Sequence, residues 1–353
     1  MENNKKVDMI VDMQYGSTGK GLIAGYLAKR NGYDVVVNAN MPNAGHTYID
    51  DCGNKMVFKV LPNGIVSPNL KYVLIGPGSV FRLDRLIDEI KLALSFGYME
   101  DVAVFIHPNA VPLTDEHVSK ESLFDRIGST KQGSMAAMVD KMERDPDGTV
   151  IADYPIFADY MEDLDAHEYG IYVTSHQTYN QVLKEANNVL AEGAQGFSLG
   201  INERFYPYCT SRDCTPTRFM SDMGIPHTLL RKVIGTARTF PIRVGGTSGG
   251  CYHDQIETSW ERLGLPVERT TVTNKVRRVF TFSSVQIYDA DWAMQPDEVF
   301  LNFCNYVDRR DLGIEIKNNK KVKSNELMGI IDCFRGKVRY LGYGPGDENV
   351  YEI

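Results

Sequence analysis

The residues best suited to chemistry stand near the start of the chain. Gly16-Ser17-Thr18-Gly19-Lys20-Gly21 follows the apolar run Val7-Asp8-Met9-Ile10-Val11 and precedes Leu22, Ile23, Tyr26 and Leu27 at helical spacing. A glycine loop between a strand and a helix turns backbone N–H groups towards one point beside the positive end of the helix dipole, and Lys20 adds a full charge there. That is a cradle for phosphate. It is not a Walker A loop: Gln14 stands where that motif needs its first glycine, and Gly21 follows Lys20 in place of the magnesium-binding Ser or Thr. A P-loop kinase is excluded on that spacing. A second cluster, Asn43-Ala44-Gly45-His46-Thr47, sets a glycine and a histidine among small residues, which suits close approach of a ligand. Taken alone, His46 reads as a hydrogen-bonded loop histidine rather than a ligand-binding one.

These motifs need a scaffold. Asp34-Val35-Val36-Val37-Asn38, Tyr72-Val73-Leu74-Ile75, Val102 to Ile106, Thr149 to Ala152 and Val189-Leu190-Ala191 read as further short strands. Leu83, Leu86, Ile87, Ile90 and Leu94 share one helical face. Unbroken apolar strands between helices predict an α/β fold with a mainly parallel central sheet, helices on both faces and a P-loop-like glycine loop. No repeat, low-complexity tract or Pro/Ser linker interrupts the pattern. A single domain over residues 1–353 is expected, with weakly patterned excursions at about 110–185 and 245–280.

Composition narrows the class. The 353 residues carry a formal net charge of −8, which argues against a broad nucleic-acid face but leaves room for a local basic pocket. Cys52, Cys209, Cys214, Cys251, Cys304 and Cys333 form no C-x-x-C pair and read as small hydrophobes in a reducing compartment. Met1 to Val7 has no apolar signal-peptide core, and no run reaches the length of a membrane span. A cytoplasmic protein without membrane or nucleic-acid partners is expected.

The glycine loop and the Asn43–Thr47 cluster together resemble the G-D-E-G-K-G and N-A-G-H-T signatures of adenylosuccinate synthetases. Glu192-Gly193-Ala194-Gln195-Gly196 is similar to that family's E-G-A-Q-G, Tyr206-Pro207-Tyr208-Cys209-Thr210-Ser211 to Y-P-Y-V-T-S, Arg243-Val244-Gly245 to R-V-G, and Gly344-Pro345 to the C-terminal T-G-P turn. Gly128-Ser129-Thr130 stands where the family has G-T-T, and an ungapped count onward puts Arg144 on its phosphate-binding arginine.

The departures are equally specific. Ser17 and Thr18 replace the aspartate and glutamate of G-D-E-G-K-G. The guanine-reading T-K-L-D is replaced by Asn305-Tyr306-Val307-Asp308, or a register close to it, and the arginine-rich loop by Val272-Thr273-Asn274-Lys275-Val276-Arg277-Arg278. The chain is also shorter than a typical member. This set resembles the phage-encoded branch in which dGMP replaces IMP and an adenine nucleotide replaces GTP, giving a diaminopurine precursor.

The resemblance implies a magnesium-dependent, homodimeric C–N ligase. ATP or dATP would phosphorylate O6 of the purine, and L-aspartate would displace the phosphate. It implies Ser17 and His46 as catalytic residues, with Ser17 and Gly45 at the magnesium. For the triphosphate it implies Gly16, Ser17, Thr18, Gly19, Lys20, Gly21, Gly45, His46, Thr47, Arg277, Asn305, Gly342, Gly344 and Pro345. The monophosphate would take Ser17, Asn43, Ser129, Thr130, Arg144, Gln195, Thr210 and Lys275. Aspartate would take Val244, Thr271, Val272, Thr273, Lys275 and Arg277. Two other readings stay open: an ordinary adenylosuccinate synthetase using IMP and GTP, and a nucleotide-binding pseudoenzyme that kept the cradle and lost its base.

Overall fold

The computed structural model describes residues 5–122, 130–144, 149–151, 155–270, 274–308 and 324–353. Chain order gives β1 (Val7–Asp12), α1 (Lys20–Asn31), β2 (Val35–Asn38), the hairpin β3 (His46–Ile49) and β4 (Lys55–Phe58), and β5 (Tyr72–Ile75). There follow β6 (Val80–Phe81), α2 (Leu83–Ser95), β7 (Ala103–Ile106), β8 (Val111–Pro112), α3 (Asp115–Ser122) and α4 (Ser134–Glu143). The second half supplies β9 (Ile171–Val173), β10 (Val189–Glu192), β11 (Leu230–Arg238), β12 (Ile242–Arg243), β13 (Glu257–Thr258) and β14 (Arg278–Phe280). It closes with β15 (Glu298–Asn302), β16 (Val338–Gly342) and β17 (Val350–Glu352).

Ten of these strands form one sheet in the order β17-β16-β15-β11-β1-β10-β2-β5-β7-β9. Every pairing in it is parallel except β16 with β17. The predicted parallel sheet is therefore present. Alternation explains the unbroken apolar runs: Ile10, Val36 and Leu190 pack into the core on one face, Met9, Val11, Val35, Val37, Val189 and Ala191 into the core on the other.

Two sequence expectations need correction. Among the described residues, Thr149 to Ile151 contains no strand; Ile151 is buried in a short 3₁₀ turn, its N–H bonded to the Ala110 carbonyl. The stretch 110–185 is not wholly outside the sheet, because Ile171–Val173 forms its edge strand, β9. Three residues carry too little pattern to announce a strand; the register with β7 makes them one.

Parallel strands put all their C-terminal ends on one edge, where ligands of open α/β sheets bind. Here the register sets Asp12 of β1 beside Thr236 of β11, Glu192 of β10 beside Asn38 of β2, and Arg238 of β11 beside Asn302 of β15. The loops that leave these ends carry the candidate residues.

Candidate active site

The glycine loop leaves β1 at Asp12 and enters α1 at Lys20. Gly16, Ser17 and Gly19 all have positive φ (94°, 57° and 94°), a conformation glycine adopts freely and serine does not. Asp12 holds this turn from beneath. Its Oδ1 accepts from the N–H groups of Gln14 and Gly16 at 2.9 and 3.2 Å. Its Oδ2 accepts from the Thr18 hydroxyl and, at 3.1 Å, from Lys20 Nζ. Lys20 also donates to the Gln195 carbonyl at 2.7 Å. Lys20 is thus a buried cation with a buried counter-ion, tied to the base of the loop and to the Gln195 carbonyl. Thr18 turns its hydroxyl inward to Asp12 and Thr236, while Ser17 is exposed at the tip.

Glycines on α1 bring in the second motif. A Cβ at Gly21 would stand 2.7 Å from both the Thr47 carbonyl oxygen and Asn63 Oδ1, and one at Gly25 would overlap the Tyr48 ring. Their absence lets β3 press against the helix start. That contact carries His46 into a buried position, with Gly45 and Thr47 exposed on either side. His46 Nδ1 lies 3.5 Å from Glu192 Oε2, an ion-pair distance and too long for a good hydrogen bond. Glu192 is anchored by accepting the Gly64 N–H at 2.7 Å. Burial pushes the His46 pKa below the ordinary imidazole value; Glu192 opposes that shift and Lys20 reinforces it.

Beside the loop opens a cavity of about 340 Å³. It brings together Asn43, Thr130, Gln195, Thr210, Val244 and Arg277, which the sequence had distributed over three ligands. Asn43 Oδ1, Ser134 Oγ and Ser211 Oγ line this cavity and have no hydrogen-bond partner among the described residues. Buried polar atoms of this kind cost free energy unless something answers them, so the cavity suits a polar ligand. Ser134, at the first turn of α4, and Ser211, the last residue of the Tyr206–Ser211 motif, were given no role by the sequence reading; a lone serine carries no spacing signal. Arg243, the arginine of R-V-G, donates instead to the Gly250 and Tyr208 carbonyls at 3.0 and 2.9 Å and so ties two cavity walls together.

Other candidates lie apart from the cavity. Lys275 is exposed and does not line it. Arg144 ends α4 at φ 58°, also exposed. Ser129, Thr271, Val272 and Thr273 lie outside the described residues.

On the far side of the loop, Asn302 is buried between Gly19 and Gly342, either of which would collide with it if it carried a Cβ. Asn305 is half-buried in the following 3₁₀ turn; Gly344 is half-buried and Pro345 exposed after β16. Asn302 was another omission, since a polar residue ending a strand is common. To a hard cation the chain offers the Ser17 hydroxyl and the Gly45 carbonyl, oxygen donors on two exposed residues. No cluster of three acidic, His or Cys ligands occurs among the described residues. This donor set fits magnesium that arrives on a nucleotide triphosphate rather than in an all-protein cage.

Comparison with known proteins identifies the family and the fold. The sequence model of the adenylosuccinate synthetase family matches residues 9–154 and 149–317. The N6-succino-2-amino-2′-deoxyadenylate synthase of Vibrio phage phiVC8 is 54% identical over 346 residues, covering 97% of this chain and 96% of that one. The solved succinoaminodeoxyadenylate synthetase of cyanophage S-2L, bound to dGMP and to dATP as an energy donor, superposes with a TM-score of 0.86 at 37% identity, over 99% of this chain and 95% of that one. The fully ligated adenylosuccinate synthetase of Plasmodium falciparum shares the fold, with a TM-score of 0.77 at 20% identity over 99% and 100% of the two chains. With its motifs gathered on one sheet edge, and with such likeness along nearly its full length, the chain belongs to the adenylosuccinate synthetase family.

Proposed function

We propose that this chain is a ligase that condenses dGMP with L-aspartate, with hydrolysis of ATP or dATP to the diphosphate, giving N6-succino-2-amino-2′-deoxyadenylate. The observation that carries the reading is Ser17: exposed at the tip of a phosphate-binding turn, beside a cavity into which buried polar atoms without partners among the described residues converge, where ordinary members of the family hold an aspartate. The shorter side chain leaves room for the 2-amino group of guanine, and its hydroxyl accepts a hydrogen bond from that amine. The likeness to phage synthases, one of them solved with dGMP and dATP, supports the same choice of substrate and donor.

The purine 6-oxo group does not leave unaided. The triphosphate lies along the glycine loop, where backbone N–H groups and Lys20 gather its negative charge. Ser17 and Gly45 would hold magnesium together with the phosphates, and the ion would supply further charge neutralisation. Gln195, Asn43, Thr130 and Thr210 fix the monophosphate, and His46 donates a hydrogen bond to the phosphoryl oxygen as O6 attacks, the purine N1 proton passing to water and the nucleoside diphosphate leaving the γ-phosphorus. The aspartate amine then displaces phosphate from C6, with Arg277 and Val244 orienting the dicarboxylate. Arg144 completes the monophosphate site from a second subunit of a homodimer.

This order of events has an isotopic signature. With dGMP labelled by ¹⁸O at position 6, the label leaves in inorganic phosphate, one atom per aspartate adduct formed. Unlabelled phosphate alongside product would overturn the phosphoryl intermediate, and phosphate release without any adduct would indicate a mere triphosphatase.

A further inference from the structure

One buried guanidinium touches three segments of the site. Arg238, at the end of β11, has its side chain 1% exposed. Its backbone is clamped to Gln14, the N–H donating to Oε1 at 2.8 Å and the carbonyl accepting from Nε2 at 3.2 Å. Its Nη1 donates to the Ser17 carbonyl at 3.2 Å and to Glu268 Oε2 at 3.2 Å, while Nη2 donates to Glu268 Oε1 at 2.5 Å. The same group lies 3.8 Å over the Phe303 ring, and Phe303 packs on Tyr306, whose hydroxyl donates to Glu268 Oε1 at 3.0 Å.

Glu268 is the root of the ribbon that leads to the cavity. Its carbonyl accepts the Arg277 N–H at 2.9 Å, Arg269 bridges to Val276, and the Thr270 N–H bonds the Lys275 carbonyl at 2.9 Å. Arg277 lines the cavity. Burial works against ionisation of Glu268, but the charge and hydrogen bonds of Arg238, the Tyr306 hydroxyl and the charge of Arg277 hold its carboxyl below the usual value. The two ions are therefore a forked, charge-assisted pair, its guanidinium buried and its carboxylate partly exposed.

What this pair grips is informative. Ser17 sits at φ 57°, a conformation that costs a non-glycine residue energy and persists only where neighbours enforce it. Arg238 is one of those neighbours, through the Ser17 carbonyl. A phosphate chain settling on the loop bears on that same peptide. We propose that Arg238 and Glu268 are positioning residues that couple occupancy of the glycine loop to the placement of Arg277, so that the donor nucleotide strengthens aspartate binding. This rests on the triphosphate and aspartate sites assigned above. Coupling of this kind is reciprocal and measurable as a ratio of affinities.

The test is the KM for L-aspartate at low and at saturating ATP, with dGMP saturating, in the wild type, in Glu268→Gln and in Tyr306→Phe. The wild type should show a KM about fivefold or more lower at saturating ATP. Glu268→Gln should bring that ratio close to one and raise the KM for aspartate more than it lowers kcat, leaving the KM for dGMP at the wild-type value. Tyr306→Phe, which deletes a single hydroxyl and so keeps the fold, should give an intermediate ratio; it decides the question if Glu268→Gln does not fold. An undiminished ratio in folded variants, or no ratio in an active wild type, overturns the coupling. A wild type without aspartate-dependent turnover instead overturns the functional reading on which the coupling stands.

Discussion

Lys20 and Asp12 pose the sharpest question at the residue scale, because each is a buried ion whose partner is the other. Removing one member leaves an uncompensated charge, which costs about 3–5 kcal/mol, far more than deleting both. Lys20→Met should therefore unfold at much lower denaturant, and Lys20→Met with Asp12→Asn should recover most of the loss; equal stability of the two variants would contradict the pairing. His46 carries a pH consequence. Only the imidazolium can donate Nδ1–H to Glu192 and Nε2–H to a phosphate oxygen at once. Burial, reinforced by Lys20 and opposed by Glu192 and Asp12, holds its pKa below 6.5, so the free enzyme at pH 7 carries it neutral. Bound phosphates raise that pKa. Triphosphate binding should then take up a proton, and affinity should strengthen as pH falls towards the free-enzyme value and level off beneath it. Calorimetry in buffers of different ionisation enthalpy should detect uptake in the wild type and none in His46→Asn; equal uptake in both would remove His46 from the phosphate.

Elements explain why such residues meet. The helix after the glycine loop was legible from Leu22, Ile23, Tyr26 and Leu27, and the strands of β1, β2, β5 and β10 from their apolar runs. What spacing could not reveal is that Gly21 and Gly25 form a smooth track for β3, since a helical glycine has many explanations. Gly21→Ala forces a methyl group against the Thr47 backbone, and overpacking of this kind costs about 1–3 kcal/mol. The melting temperature should fall and the KM for the donor should rise together, because the same contact seats His46. A variant as stable and active as the wild type would show that the close approach is dispensable. Asp12, Arg238 and Asn302 were invisible for a related reason, and Glu192, though part of the Glu192–Gly196 motif, was given no role. Each ends a parallel strand, and only the sheet order tells which strand ends are neighbours. Period-two patterning reveals a strand, not its place among nine others.

For the molecule as a whole, ordered motifs were the legible part: they gave the family and the sheet class, and the cavity gathers residues from five of them. Charge and composition only removed rivals. Quaternary structure lies beyond one chain, yet exposed Arg144 at the end of α4 makes a specific forecast. If it serves a neighbour's site, mixing inactive Arg144→Leu with inactive His46→Asn should restore turnover, because a hybrid dimer holds one intact site. Failure of the mixture to regain activity, with hybrids demonstrably formed, would place Arg144 outside the monophosphate site. The choice of purine is read by following the aspartate adduct chromatographically with dGMP or IMP, in the wild type and in Ser17→Asp. The wild type should give adduct from dGMP and not IMP, and Ser17→Asp should shift that preference towards IMP, if Ser17 selects the purine. Wild-type turnover of IMP alone, or an unchanged preference for dGMP in Ser17→Asp, would contradict this reading.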